Sequence, residues 1–323
     1  MQSLQVMKTA QTTGRLPARG NAQASTRLSP NRCALFCAYA FVFSVFNPVD
    51  SAAAFQETPA TSLLAGPARA WALDCANNEV LVMEHPNSYL RYRQHTVDGK
   101  GDQVRDQIET PEGTVSRLIQ RDGRALTHAE DSAERDRLNS LAASPALFAR
   151  HIRHDEENRK MGSEMIRMMP DAMLWSYSSA QPQLPNHSAG DPALIVLDFK
   201  PNPAWSPPNL ESELLTGLAG RVWIDPRSRT MVRLEATLFH AVNIGWGMLA
   251  HIYPGGTATL EQTNAGGQRW IMQHIVEQLT VQALMVKNVK QKLISDAADL
   301  QPVAPMSYQQ AIRTLLDTPL PVR

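Results

Sequence analysis

The chain has 323 residues, 43% of them hydrophobic and 19% charged, a balance that specifies a folded body and not a disordered one. Basic and acidic side chains are equal at 31 each, and leaving out residues 1–53 leaves 26 basic against 30 acidic. A mildly acidic body without a dense basic run argues against nucleic acid as a partner.

Residues 1–32 carry Lys8, Arg15, Arg19, Arg27 and Arg32 and no acid. Cys33 to Phe46 is uncharged, and Asn47-Pro48 and the small residues Ser51-Ala52-Ala53-Ala54 follow. Basic, apolar and small segments in that order predict an export signal over 1–54, cleaved near Ala53 or Ala54. Met7 is an alternative start, and an uncleaved anchor is the alternative fate. The apolar stretch is shorter than the roughly 20 residues of a spanning helix. Cys33 and Cys37 lie at its beginning and not after it, which argues against lipid attachment there. The expected product is periplasmic or otherwise exported, and soluble. Cys75 is then left without an intramolecular disulfide partner and reads as a small buried residue, or as a reactive or intermolecular thiol.

Residues 55–86 form a lead-in and a helix over Trp71 to Glu84. Tyr89 to Val97, Val104 to Thr110 and Thr114 to Gln120 alternate and are punctuated by Asp98-Gly99, Pro111-Glu112-Gly113 and Asp122-Gly123, which predicts an antiparallel meander. A helical insertion is expected over about 127–169. Thr127 with Glu130 makes a capping box, and Ser144-Pro145 caps a second helix running to Met169. Ala193 to Phe199 reads as a buried strand. In Thr230 to Leu238, Val232, Leu234, Ala236 and Leu238 are expected on one face. Thr257 to Gln262 and Arg269 to Val286 supply further strands, the second with a bulge or turn near Glu277 where its phase changes. Residues 87–295 are thus the main domain, and 296–323 a tail with a helix over Ser307 to Leu316.

No G-x-S-x-G, P-loop or H-E-x-x-H motif occurs. His151, His154, Asp155 and Glu164 lie in a highly charged helical stretch and read as a solvated face, so no metal and no cofactor is expected. His240, His251 and His274 read as hydrogen-bonded structural residues. Met161, Met165 and Met168 are spaced i, i+4, i+7 and share a helix face. Such a stripe is ordinary core, or a helix that covers a hydrophobic cavity and repacks around a ligand. Ile244 to Ala250, with Trp246, Met248 and Leu249, reads as a strand bend, a buried loop or a cavity lip.

Several segments carry a family resemblance: Tyr89-Leu90-Arg91-Tyr92-Arg93-Gln94, Arg121-Asp122-Gly123-Arg124-Ala125-Leu126, Phe199-Lys200-Pro201, Gly220-Arg221-Val222-Trp223-Ile224-Asp225, Val232-Arg233-Leu234-Glu235-Ala236 and Gly245-Trp246-Gly247-Met248-Leu249-Ala250. In this order the chain resembles the LolA/LolB-like lipoprotein-carrier superfamily, and within it a group of exported acidobacterial proteins of the lipoprotein-sorting type. The resemblance implies an α+β fold, a strongly curved antiparallel sheet (an incomplete β-barrel) with helices covering the open face. It also implies an apolar cavity for a lipid or acylated lipoprotein. The candidate cavity or lid residues are Met161, Met165, Met168, Leu174, Trp223, Val232, Leu234, Leu238, Trp246, Met248, Leu249, Trp270 and Met272. The expected protein is a non-enzymatic carrier or sensor, with an outer- or inner-membrane protein as a further partner. A protein–protein regulatory module on the same fold is the alternative. A hydrolase would require His240, His251 or Asp225 to converge with a nucleophile.

Overall fold

The computed structural model describes residue 64 and residues 66–321, apart from 87, 186, 188–189, 245–249, 268 and 284–286. The export signal expected over 1–54 lies outside the described residues, as do Trp246, Met248 and Leu249. Helix α1 (Ala68–Glu84) leads into strands β1 (Tyr89–Asp98), β2 (Gly101–Thr110), β3 (Gly113–Arg121) and the short β4 (Arg124–Ala125). Helices α2 (His128–Ala143) and α3 (Pro145–Ala172) follow, then β5 (Met173–Tyr177) and β6 (Ile195–Pro201). A 3-10 helix (Glu211–Gly217) precedes β7 (Leu218–Ile224), β8 (Met231–Leu238), β9 (Val242–Ile244) and β10 (Ala250–Ile252). The chain closes with β11 (Gly256–Asn264), β12 (Trp270–Ala283), β13 (Lys287–Val303) and α4 (Tyr308–Asp317).

The fold is α+β. All thirteen described strands join one antiparallel sheet in the order β4-β3-β2-β1-β13-β12-β11-β8-β7-β6-β5, with β10 and β9 branching from β12. The path is open at both ends and does not close into a barrel. The meander expected from the turn residues is present, and β1 pairs with β13, some two hundred residues away. The sequence reading began the tail at 296, whereas β13 continues to Val303 and sits in the middle of the sheet.

Both expected helix caps are formed. Thr127 accepts from the Glu130 amide while Glu130 accepts from the Thr127 amide, and Ser144 accepts from Leu147 with Pro145 behind it. The second helix runs three residues past Met169 and carries Pro170 in its last turn. The bulge expected near Glu277 is found four residues earlier. Strand β12 is continuous at Glu277, and its register slips between Met272 and His274, leaving Gln273 as the extra residue.

Two apolar clusters hold the molecule together. The larger joins Trp71, Ala72 and Cys75 of α1 to Ile195, Leu197, Leu215, Leu218, Val222, Leu234 and Leu238, and on to Leu279 and Val281. The smaller joins Ile108 and Val115 to Leu138, Phe148, Tyr308, Ile312 and Leu315, with Phe148 stacked on Tyr308 at 3.6 Å between centroids. Gly113, at φ 138°, turns the β2–β3 hairpin where a Cβ would lie 2.7 Å from the Ile152 side chain of α3.

Candidate functional site

Helices α1 and α3 lie antiparallel, and α1 packs more extensively on α3 than on any strand. Ion pairs hold the two ends: Arg69 with Asp171, and Arg167 with Glu84 at 2.6 Å. At the Glu84 end, Gly162 of α3 faces the Met83 side chain. Polar contacts fix α1 to the sheet. Asn78 donates to Ser228 O at 2.8 Å, and Arg229 lies 3.7 Å over the Trp71 ring while pairing with Asp74. Glu79 Oε1 accepts from the Met231 amide at 2.9 Å, and its Oε2 accepts from the Gln262 side chain at 2.6 Å. Burial pushes the Glu79 carboxyl above its ordinary value, against the pull of Gln262 and Met231. The Cys75 thiol, one turn earlier, is pushed well up, first by burial and then by Glu79.

The methionine stripe faces this junction. Met165, Met168 and Met169 of α3 pack, partly buried, against the large cluster, as do Met272, Ile275, Val276 and Leu260 of the sheet. Met161 is also half-buried, one turn nearer the polar stretch of α3. Leu234 and Leu238 belong to the cluster core. Leu174 is 43% exposed on β5, opposite Lys200, and Trp270 is half-buried opposite Asn264. Trp223 and Val232 correct the sequence reading. They form a separate small cluster with Leu194, Val196 and Leu184. The cause is a β-bulge. Trp223 pairs with Arg233 and Ile224 with Met231, so Val232 is the extra residue and turns to the side of Trp223, away from Leu234. Alternation alone could not reveal that slip.

The histidines are separately engaged. His251 meets Asn243 at 2.6 Å, His240 packs on Phe239, and His274 meets Asp296 at 2.5 Å. Asp225 Oδ1 accepts from the amides of Arg227 and Ser228 and from the Ser228 hydroxyl, which makes it a turn-former. Among the described residues no group of three or more His, Cys, Asp or Glu side chains is arranged to hold a metal. Among them, too, no helix is long and apolar enough to cross a membrane. A cleft of about 210 Å3 opens beside β1, lined by charged and polar residues that include Arg91, Arg93, Asp106, Asp299 and Gln301. The sequence reading missed it because it depends on a bulge in β13 with no composition signal.

The chain matches no protein-family model, no curated protein and no solved structure. The functional reading therefore rests on the residues themselves.

Proposed function

We propose that this is an exported, non-enzymatic binding protein. It takes a lipid or the acyl chain of a lipidated protein between the α1–α3 pair and the apolar face of the sheet, which on this reading curves around them. The observation that carries the reading is the half-buried methionine row Met165, Met168 and Met169, seated on a cluster whose sheet side is itself only part-covered at Leu260, Met272, Ile275 and Val276. Methionine adapts its shape at low cost and suits a surface that must repack. Met165, Met168 and Met169 pack against the cluster, so on this reading a ligand enters by displacing them. Acyl burial would return on the order of 25 cal/mol per Å2.

Native mass spectrometry with lipid extraction tests this on protein purified from a periplasm. Stoichiometric lipid or acylated peptide is the expected result. A clean apo mass, with no uptake of added fatty acyl probes, would overturn it and favour a protein partner on the same surface. Replacing Met165 and Met168 with Glu should abolish uptake while leaving the circular dichroism spectrum intact.

A further inference from the structure

We propose that the cleft beside β1 is a binding site for a small zwitterion, a primary ammonium and an oxyanion held three to five bonds apart. The site is independent of the acyl-binding surface. It forms where β1 and β13 fall out of register. Arg91 pairs with Gln301 and Arg93 with Ala298, so Tyr92 faces two residues, Asp299 and Leu300. Asp299 takes a φ of 57°, a left-handed conformation that a non-glycine residue adopts sparingly. Bulges of this kind re-aim side chains and gather beside functional sites.

The cleft walls are already satisfied. Arg91 makes a two-point contact with Asp106, at 3.0 and 2.5 Å, and also donates to the Thr318 hydroxyl at 2.9 Å. That leaves the mouth, where Arg93 and Asp299 pair at 3.1 Å with about half of each side chain exposed. An exposed pair of this type contributes little net stability. A ligand carrying one charge would have to strand the other partner. A zwitterion instead replaces one weak pair with two, its oxyanion on the Arg93 guanidinium and its ammonium on the Asp299 carboxylate. The Gln301 side chain, also in the lining, supplies a neutral donor and acceptor. At about 210 Å3 the cleft suits a ligand of a few heavy atoms, below the roughly 300–1,000 Å3 of sites for drug-sized molecules. α-Amino acids and the phosphoethanolamine headgroup both have this chemistry.

The test is calorimetric and NMR titration of the full chain with glycine and with free phosphoethanolamine. Acetate and ethylammonium serve as single-charge controls. Millimolar binding of a zwitterion is expected, with both controls at least about tenfold weaker. Arg93→Gln and Asp299→Asn should each reduce zwitterion affinity about tenfold or more without changing Tm. Asp299→Gly, which suits the positive φ, should fold at least as well and still lose binding. Phosphatidylcholine vesicles with and without phosphatidylethanolamine separate the two sources. Preference for glycine assigns the free amino acid, and selective recruitment by phosphatidylethanolamine assigns the headgroup. Acetate binding as well as glycine would overturn the proposal in favour of a plain anion site on Arg93. No binding of either zwitterion would overturn it outright.

Discussion

Arg117 is buried at 2% exposure, held through its two terminal guanidinium nitrogens while its Nε lies buried without a hydrogen-bond partner. One guanidinium nitrogen donates to Leu315 O at 2.6 Å and Thr318 O at 2.8 Å, and the other meets Asp131 at 2.8 Å. The carbonyls at the end of α4 have no partners within the helix, and a cation there satisfies them and complements the helix dipole. Arg117→Met keeps much of the volume and strands those groups, so it should cost about 3 kcal/mol in urea unfolding at unchanged m-value. Glu79 gives the opposite kind of prediction. Its folded-state pKa is raised, so the stability linked to its proton is fully present below the unfolded carboxylate value and is lost as pH rises through the folded one. Glu79→Gln keeps the shape without the buried charge. It should match or exceed the parent at pH 7, with that advantage shrinking toward pH 4. A parent that gains on the variant as pH rises would refute this.

At the scale of elements, an open sheet must manage its two edges, and this one does so with side chains. Strand β4 covers β3 only at Gln120 and Arg121. Beyond it, the Leu118 amide donates to Glu134 at 2.7 Å, and Arg137 donates to Ser116 O at 2.6 Å. Burial pushes the Glu134 carboxyl up, yet Arg137, the Leu118 amide and Arg105 outweigh it and hold it below its ordinary value. On the far side β5 stops at Tyr177, and side-chain amides stand in for a strand. Gln181 both donates to and accepts from Val196, at 2.8 and 3.0 Å, and Gln183 does the same with Leu194, at 3.1 and 2.7 Å. Replacing both Gln181 and Gln183 with Ala should bare that edge. Concentration-dependent dimers are then expected in sedimentation velocity, and a strictly monomeric double variant would show that the strap is not a guard. The reach of sequence reasoning divides at the same place. Caps at Thr127 and Ser144 and the hairpin at Asp98-Gly99 are local chemistry, and they could be read directly. The bulge at Val232 is a register slip inside the β7–β8 hairpin, and the one at Asp299–Leu300 comes from pairing with distant β1; neither marks the residue alternation, so neither the separation of Trp223 from Leu234 nor the Arg93–Asp299 cleft was visible in the chain alone.

At the scale of the whole molecule, α3 is the member common to both clusters. Phe148 and Ile152 near its start belong to the smaller one, while Met165, Met168, Met169 and Ala172 near its end belong to the larger. The polar turns between them were legible as a solvated stretch. That the two ends serve different clusters was not, because the partners Ile108, Val115 and Ile312 come from opposite ends of the chain. A rigid helix of 28 residues shared in this way should make the clusters unfold together. The tryptophans offer a direct reading, since none of the five among the described residues belongs to the smaller cluster. Ile312, wholly buried there, should cost about 2–5 kcal/mol when replaced by Ala. If α3 couples the clusters, tryptophan fluorescence and far-ultraviolet circular dichroism will shift by the same amount and keep one midpoint. If the clusters are separate units, fluorescence will hold its parent midpoint while the dichroism splits into two transitions. In that case the α1–α3 surface could open for a ligand without disturbing α4. A coupled result would instead mean that ligand entry works against the stability of the entire fold.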